Sequence, residues 1–445
     1  MSGWRFLLAM AGLPLLGFPF TFLRPLRSLD PVARVGLSLG IAGLILCSEM
    51  IVLALLGFAF SPWFLALPSI GCATGLRARK SLRASTWRPS PRAADRAGPA
   101  ISLVLAGAAV ASLAFASGTA RITSSDLLLV WGPKGQQFGM RQGIDAAFLS
   151  NPLFRNMNSV YPPFLPCIYA WATILSGRFA WGAALLSTPL FVVVACLTFF
   201  GFARPAVGAR RAGACAALLA AILAYVLSTS LAAGNADSLL IYCEVLALSA
   251  IAFGTMSPAT LLAAGIGLTM AVLTKLEGVA FAGLVIASAF LRRDIGPRKA
   301  LTWLVPGPLL AFAAWSLLAR LRGFADPGMS PVQVKLNFAH LDEIVKGIYR
   351  EARYGYRFLP WFAVLFAAFG TRTPRDPRRW LLVAAAAGCL AFMVYVYLTS
   401  PDSPTHWISW SAGRLLIAPL VCLFVAAVAE GGEASQESTP AVLKF

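Results

Sequence analysis

The sequence predicts an all-α polytopic membrane protein, about 13 transmembrane helices joined by short loops, and three observations carry that reading. Apolar residues make up 58% of the 445 positions, charged residues only 12%, and the mean hydropathy is +0.75, whereas soluble domains carry about 25% charged residues. The apolar residues come in repeated runs, each close to the 20 or so that a bilayer-crossing helix needs. The net charge of +19 sits in short basic clusters between those runs, the pattern that orients helices in a membrane, so a nucleic-acid partner is excluded.

Runs that can cross fall near 4–23, 35–57, 62–76, 100–118, 180–203, 212–231, 238–254, 258–274, 277–291, 300–320, 357–371, 380–398 and 412–429. The first resembles a secretory signal in length but has no small-residue cleavage site and is followed by further spans, so it reads as retained. Runs 62–76, 277–291 and 357–371 are short and need help from their flanks. The eight cysteines are scattered, none in a CxxC pair. In apolar runs they act as small hydrophobes, not as a disulfide frame or zinc site. Residues 1–98 comprise N-terminal spans and a basic loop, 99–429 a second block of spans, and 430–445 a disordered cytoplasmic tail.

Sidedness follows from parity. The strongest basic cluster, Arg77 to Arg96 with seven Lys or Arg, belongs in the cytoplasm, so the run at 100–118 leads outward. The clusters at 203–211, 292–299 and 371–379 are then cytoplasmic only if one of the two apolar runs between Tyr161 and Arg204 does not cross. "YPPFLPCIYAWATILSG" is the better candidate, because it opens with two prolines, has a third at Pro166 and is short. A juxtamembrane or re-entrant helix is expected there, after the first extracytoplasmic loop.

With these sides assigned, polar residues at span ends gather on the extracytoplasmic face: Asp126, Lys134, Asp237, Lys275, Glu277, Asp402, His406 and Arg414. Charges at the hydrocarbon boundary are costly and point to function. Taken singly each has a plainer reading. Asp126, and Asn235 with Asp237, cap helices; Lys275 and Glu277 make an interfacial pair. Glu49, alone in a span, is expected to pair with a serine or the backbone and stays outside the site. In "HLDEIVKGIYREARYGY", Leu341, Ile344, Val345 and Ile348 repeat at helical spacing, which predicts an amphipathic helix on the membrane surface, with a lid as the alternative.

The order Asp126, Trp131, Lys134, then Tyr161-Pro-Pro, then "GNAD" ending at Asp237, then "TKLEG" at 274–278, then "YLTSPDSPTHWISWSAGRLL" resembles the GT-C superfamily of integral-membrane glycosyltransferases. The resemblance spans about residues 100–429 and is nearest to bacterial members related to protein mannosyltransferases and lipid A aminoarabinose transferases. It implies transfer of a sugar from a polyprenyl-phosphate donor to a glycan, lipid or protein acceptor, at the periplasmic face of the bacterial inner membrane, among membrane lipids. By the same resemblance Asp126 is the catalytic carboxylate. Lys134, Tyr161, Asp237, Lys275, Glu277, His406 and Arg414 are then substrate-binding candidates, with Arg414 and Lys275 facing the leaving phosphate. The oligosaccharyltransferase branch holds a divalent metal with a DxD or ExD pair. This chain has neither, so no such pair supports a divalent metal, and no cofactor is assigned. The alternatives are a lipid-linked glycan transporter or flippase, or a glycan polymerase or ligase of the same fold. No internal repeat or matching pair of broken spans favours transport.

Overall fold

The computed structural model describes residues 2–78, 99–120, 124, 126–151, 153, 159–228, 232–290, 295–324, 336–355, 357–369, 377–399 and 404–429. Most of the basic cluster at 77–96, parts of those at 292–299 and 371–379, Lys335, Asp402, Ser403 and the tail 430–445 lie outside the described residues. Every regular element among the described residues is helical. Among the described residues, nine helical stretches are long and apolar enough to cross a membrane: Gly3–Phe22, Pro31–Leu56, Ala100–Thr119, Trp181–Val207, Ala209–Leu227, Ala236–Phe253, Gly296–Leu321, Trp380–Leu398 and Ser411–Ala429. The chain is thus a polytopic membrane protein. The four remaining predicted spans are also helices, Pro62–Ala78, Pro258–Thr274, Leu276–Phe290 and Leu359–Phe369; the first two, at 17 residues each, are at the lower limit for a crossing and the last two fall below it.

The principal helices are numbered in chain order. They begin with α1 (Ser2–Ala11), α2 (Pro31–Leu56), α3 (Pro62–Ala78), α4 (Pro99–Thr119), α5 (Gly132–Arg141), α6 (Phe164–Ser176) and α7 (Ser187–Val207). There follow α8 (Ala209–Leu227), α9 (Ala236–Phe253), α10 (Pro258–Thr274), α11 (Leu276–Phe290) and α12 (Pro306–Leu321). The last are α13 (Leu341–Arg350), α14 (Leu359–Phe369), α15 (Pro377–Leu398), α16 (Pro404–Leu415) and α17 (Ile417–Ala429).

Helix α9 is the centre of the bundle, with all of its residues buried, and α7, α10 and α17 pack around it. Helix α2 is seated in the same core. Asp30 caps it by accepting the Val32 N–H at 2.8 Å, Pro31 occupies its first turn and Gly57, at φ 77°, closes it. Its glycines then let neighbours approach closely. A Cβ at Gly36 would lie 2.2 Å from Thr198 Oγ1 of α7, and one at Gly43 would lie 2.7 Å from the ring of Phe164 in α6. The Tyr242 hydroxyl of α9 donates to the Gly36 carbonyl at 2.7 Å and accepts the Gly40 N–H at 3.0 Å. At the start of α2, Arg204 Nε from the end of α7 donates to Asp30 Oδ2 at 3.0 Å, which marks one end of the bundle.

Helix α6 does not run from end to end. Tyr161 ahead of it stacks on Trp131, with centroids 5.8 Å apart, and Trp181 after it lies against Gly132. Both flanks of α6 therefore meet the same turn of chain, and a thirteen-residue helix leaves and returns at one end. Helix α5 lies along it because Gly135 and Gly139, one turn apart, press on Tyr169 and Thr173.

Two sequence expectations differ in detail. Helix α13 forms as expected, but it docks on α16, where Gly347 meets Ile408 and Ile344 is fully buried. Leu341 and Val345 remain exposed, because the contact turns on the small Gly347 and not on the full apolar stripe. Glu49 Oε2 has no partner among the described residues. It sits on the side of α2 that borders a groove with Ser48, Val52 and Phe64, away from the face that packs on α7 and α9.

Candidate active site

The end of the bundle opposite the Asp30–Arg204 contact carries the polar residues singled out in the sequence. Its organising element is the turn before α9. Gly234 adopts φ 74°, and a Cβ there would lie 2.7 Å from Leu127, so glycine suits both the backbone and the space. Its N–H donates to Thr188 Oγ1 at 2.9 Å and its carbonyl accepts the Tyr169 hydroxyl at 2.8 Å. Anchored in this way, the turn sets Asn235 against the loop that follows α4. Asn235 Oδ1 accepts the Ser124 hydroxyl at 3.2 Å, and Nδ2 donates to Asp126 Oδ2 at 3.4 Å.

Asp126 stands at the start of the helical stretch Leu127–Trp131 but makes no side-chain capping bond there, and Asn235 makes none at the start of α9. The capping reading does not hold for either. Asp145 behaves differently: its Oδ1 accepts the Phe148 N–H at 3.0 Å, so it is a cap.

From Asp126 a chain of alternating charges crosses the site. Arg414 Nη1 on α16 pairs with Asp126 Oδ2 and lies 3.5 Å from Asp237 Oδ2. Lys275 Nζ donates to Asp237 Oδ1 at 2.8 Å and lies 3.5 Å from Glu277 Oε1. Asp237 lies in the first turn of α9. Lys275 and Glu277 flank the break between α10 and α11, where Gly278 tucks against the Ala271 carbonyl and no Cβ could fit. Lys275 and Asp237 are 5% and 6% exposed, so this pair is desolvated and depends on its partners. Glu277 Oε2 is buried without a hydrogen-bond partner among the described residues.

Tyr161 borders this chain. Burial, and next the Glu277 carboxylate, push its phenol above the ordinary value, with Lys275 acting against them. Behind Tyr161, the buried ammonium of Lys134 lies 5.7 Å over the Trp131 ring. His406 falls on α16, ahead of Arg414. Among the described residues no group of three or more His, Cys, Asp or Glu side chains could hold a metal ion.

A narrow cleft enclosing about 40 Å³ runs from the charge chain toward the middle of the bundle. Asp237, Lys275, Glu277 and Arg414 form its mouth, and Leu240, Phe281, Leu284, Phe392, Met393 and Ile417 its apolar walls. Sequence reasoning missed Ser124, Thr188, Tyr169 and Glu244, a cleft residue from the interior of α9. Glu244 had a legible signal, an acid seven residues after Asp237 and so on the same helical face.

The chain matches no family model and no curated protein.

Proposed function

We propose that this protein is a membrane glycosyltransferase of GT-C type that moves a sugar from a polyprenyl-phosphate carrier to an acceptor, with Asp126 as the base. The observation that carries the reading is the charge chain from Asp126 through Arg414, Asp237 and Lys275 to Glu277, at the mouth of an apolar cleft. Cations at the head of an apolar slot suit a ligand with an anionic head and a hydrocarbon tail. In this reading thirteen helices cross the bacterial inner membrane and the site faces the periplasm, as the distribution of basic loops implies.

The chemistry is a displacement at the anomeric carbon. The acceptor oxygen bonds to that carbon, the bond from carbon to phosphate oxygen breaks, and Asp126 takes the acceptor's proton. The departing phosphate keeps the electron pair and gains charge, which Arg414 and Lys275 stabilise. Arg414 suits two-point contact with phosphate. That guanidinium is paired with Asp126. A phosphate competing for it loosens the pair and leaves the carboxylate a better base, so donor binding itself activates the base.

Deletion of the gene followed by lipid and glycan profiling tests the proposal. The expected result is accumulation of one polyprenyl-phosphate sugar on the periplasmic leaflet and loss of one envelope decoration. Unchanged profiles overturn it, and accumulation on the cytoplasmic leaflet points to a flippase.

A further inference from the structure

Asp126 has two holders, and the proposed transfer takes one of them away. Arg414 Nη1 and Asn235 Nδ2 both meet Asp126 Oδ2. A phosphate that draws off the guanidinium leaves the amide as the remaining one of the two. Arg414 keeps a partner through that exchange, since Asp237 Oδ2 lies 3.5 Å from the same nitrogen. Asn235 carries no charge, so an arriving phosphate competes far less for it than for a guanidinium.

The surroundings of Asn235 fix it in place. It is 1% exposed, whereas the Asp126 side chain is 28% exposed, so the amide grips the carboxylate from its buried side. Its Oδ1 accepts the Ser124 hydroxyl at 3.2 Å, and Ser124 Oγ in turn accepts the Leu127 N–H at 3.3 Å. Turned over, the amide would set its oxygen against the carboxylate, two acceptors with no proton between them. The backbone beside it is tied to two further helices, because the Gly234 N–H donates to Thr188 of α7 and the Gly234 carbonyl accepts from Tyr169 of α6.

We propose that Asn235 is a positioning residue: it keeps Asp126 in place, gripped through Oδ2 with Oδ1 open to the acceptor, while Arg414 passes to the donor phosphate. The inference rests on the proposed phosphate site at Arg414. It supplies what that site needs, since donor binding that frees the base would otherwise also let it swing away from the acceptor.

Amide hydrogen exchange of the stretch Leu127–Trp131, measured by mass spectrometry on the purified full-length protein in detergent, tests this, because exchange follows local opening. Wild type, Asn235→Leu, Arg414→Gln and the double variant are compared, each checked for folding by its melting temperature. If either holder suffices, each single change has little effect. The double variant then exchanges faster than the product of the two single effects by about tenfold, the equivalent of one hydrogen bond to a charged group. A purely structural Asn235 predicts effects that simply multiply, and that result overturns the proposal. Ser124→Ala, which frees the amide to turn over, should act like Asn235→Leu in the Arg414→Gln background and serves if Asn235→Leu does not fold. A long-chain alkyl phosphate is then added, with an alkyl glucoside of the same chain length as the uncharged control. In Asn235→Leu the phosphate, and not the glucoside, should raise exchange to the rate of the double variant, while wild type stays near its ligand-free rate. If the phosphate stabilises wild type against heat but leaves exchange in Asn235→Leu unchanged, the hand-over falls and the phosphate site stands. If it does not stabilise wild type, the phosphate site falls and the hand-over with it.

Discussion

Arg414 and Asp126, 288 residues apart in the chain, form a direct ion pair in which the same guanidinium nitrogen lies 3.5 Å from Asp237. One cation therefore bridges the loop after α4 to the first turn of α9. Asp126 receives Arg414 and Asn235 through Oδ2 alone, so Oδ1 is not engaged by any described residue and can face an acceptor.

Asp126→Asn should leave the protein folded, because the amide oxygen still accepts from Arg414. Transfer should fall by at least ~10²-fold, the lower end of general-base assistance. Turnover and melting temperature measured on one purified sample check this. Near wild-type turnover would reduce Asp126 to a structural partner of Arg414.

For Arg414, replacement by Ala should raise KM for the donor and lower kcat, since the phosphate gains charge as the glycosidic bond breaks. Lysine should recover only part, because a point charge cannot reproduce the guanidinium fork. A purely structural Arg414 predicts the opposite pattern, a lower melting temperature with unchanged constants for the folded fraction.

The Lys275–Asp237 pair is buried on both sides, so breaking it from one side leaves an uncompensated charge. Lys275→Met alone should destabilise by about 3–5 kcal/mol, the usual loss for one partner of a buried pair. The double change Lys275→Met with Asp237→Leu should recover a large part of that. Thermal unfolding of the single and double variants in the same detergent decides it, and additive losses would argue that the pair has no energetic coupling.

Single cysteines introduced at Asp145 and Arg210 in a cysteine-free background should label from opposite faces of the membrane, the first extracytoplasmic and the second cytoplasmic. Labelling from the same face would mean that the segment from α6 to the end of α7 crosses an even number of times, against the packing of Tyr161 and Trp181 on one turn.

The spans were legible because a bilayer asks for one simple property, some twenty apolar residues, and α2, α4 and α15 meet it plainly. Helix α6 was legible for the opposite reason: three prolines and short length mark a helix unsuited to crossing, and both its flanks meet Trp131 and Gly132. Parity also grouped Asp126, Asp237, Lys275, Glu277 and Arg414 at one level. The pairing among them was not legible, since which acid meets which cation depends on how α9, the α10–α11 break and α16 turn about their axes. Asn235 looked like a cap because capping is its common use, and only the Gly234 turn shows that it faces Asp126. Lys134, grouped with the same charges, packs over Trp131 instead.

The seating of α2 bears on how the chain is assembled as it is made. This helix is synthesised early, yet the hydroxyl that bonds its Gly36 carbonyl belongs to Tyr242, 206 residues later, and Thr198 and Met270 press on the same glycine face. Insertion order and docking order are therefore different. A nascent chain that has threaded α2 into the lipid must keep it waiting until Tyr242, 206 residues after Gly36, has been made. A ribosome halted before Tyr242 leaves α2 without its seat, and such a chain is a ready substrate for membrane quality-control proteases however well its early spans have inserted.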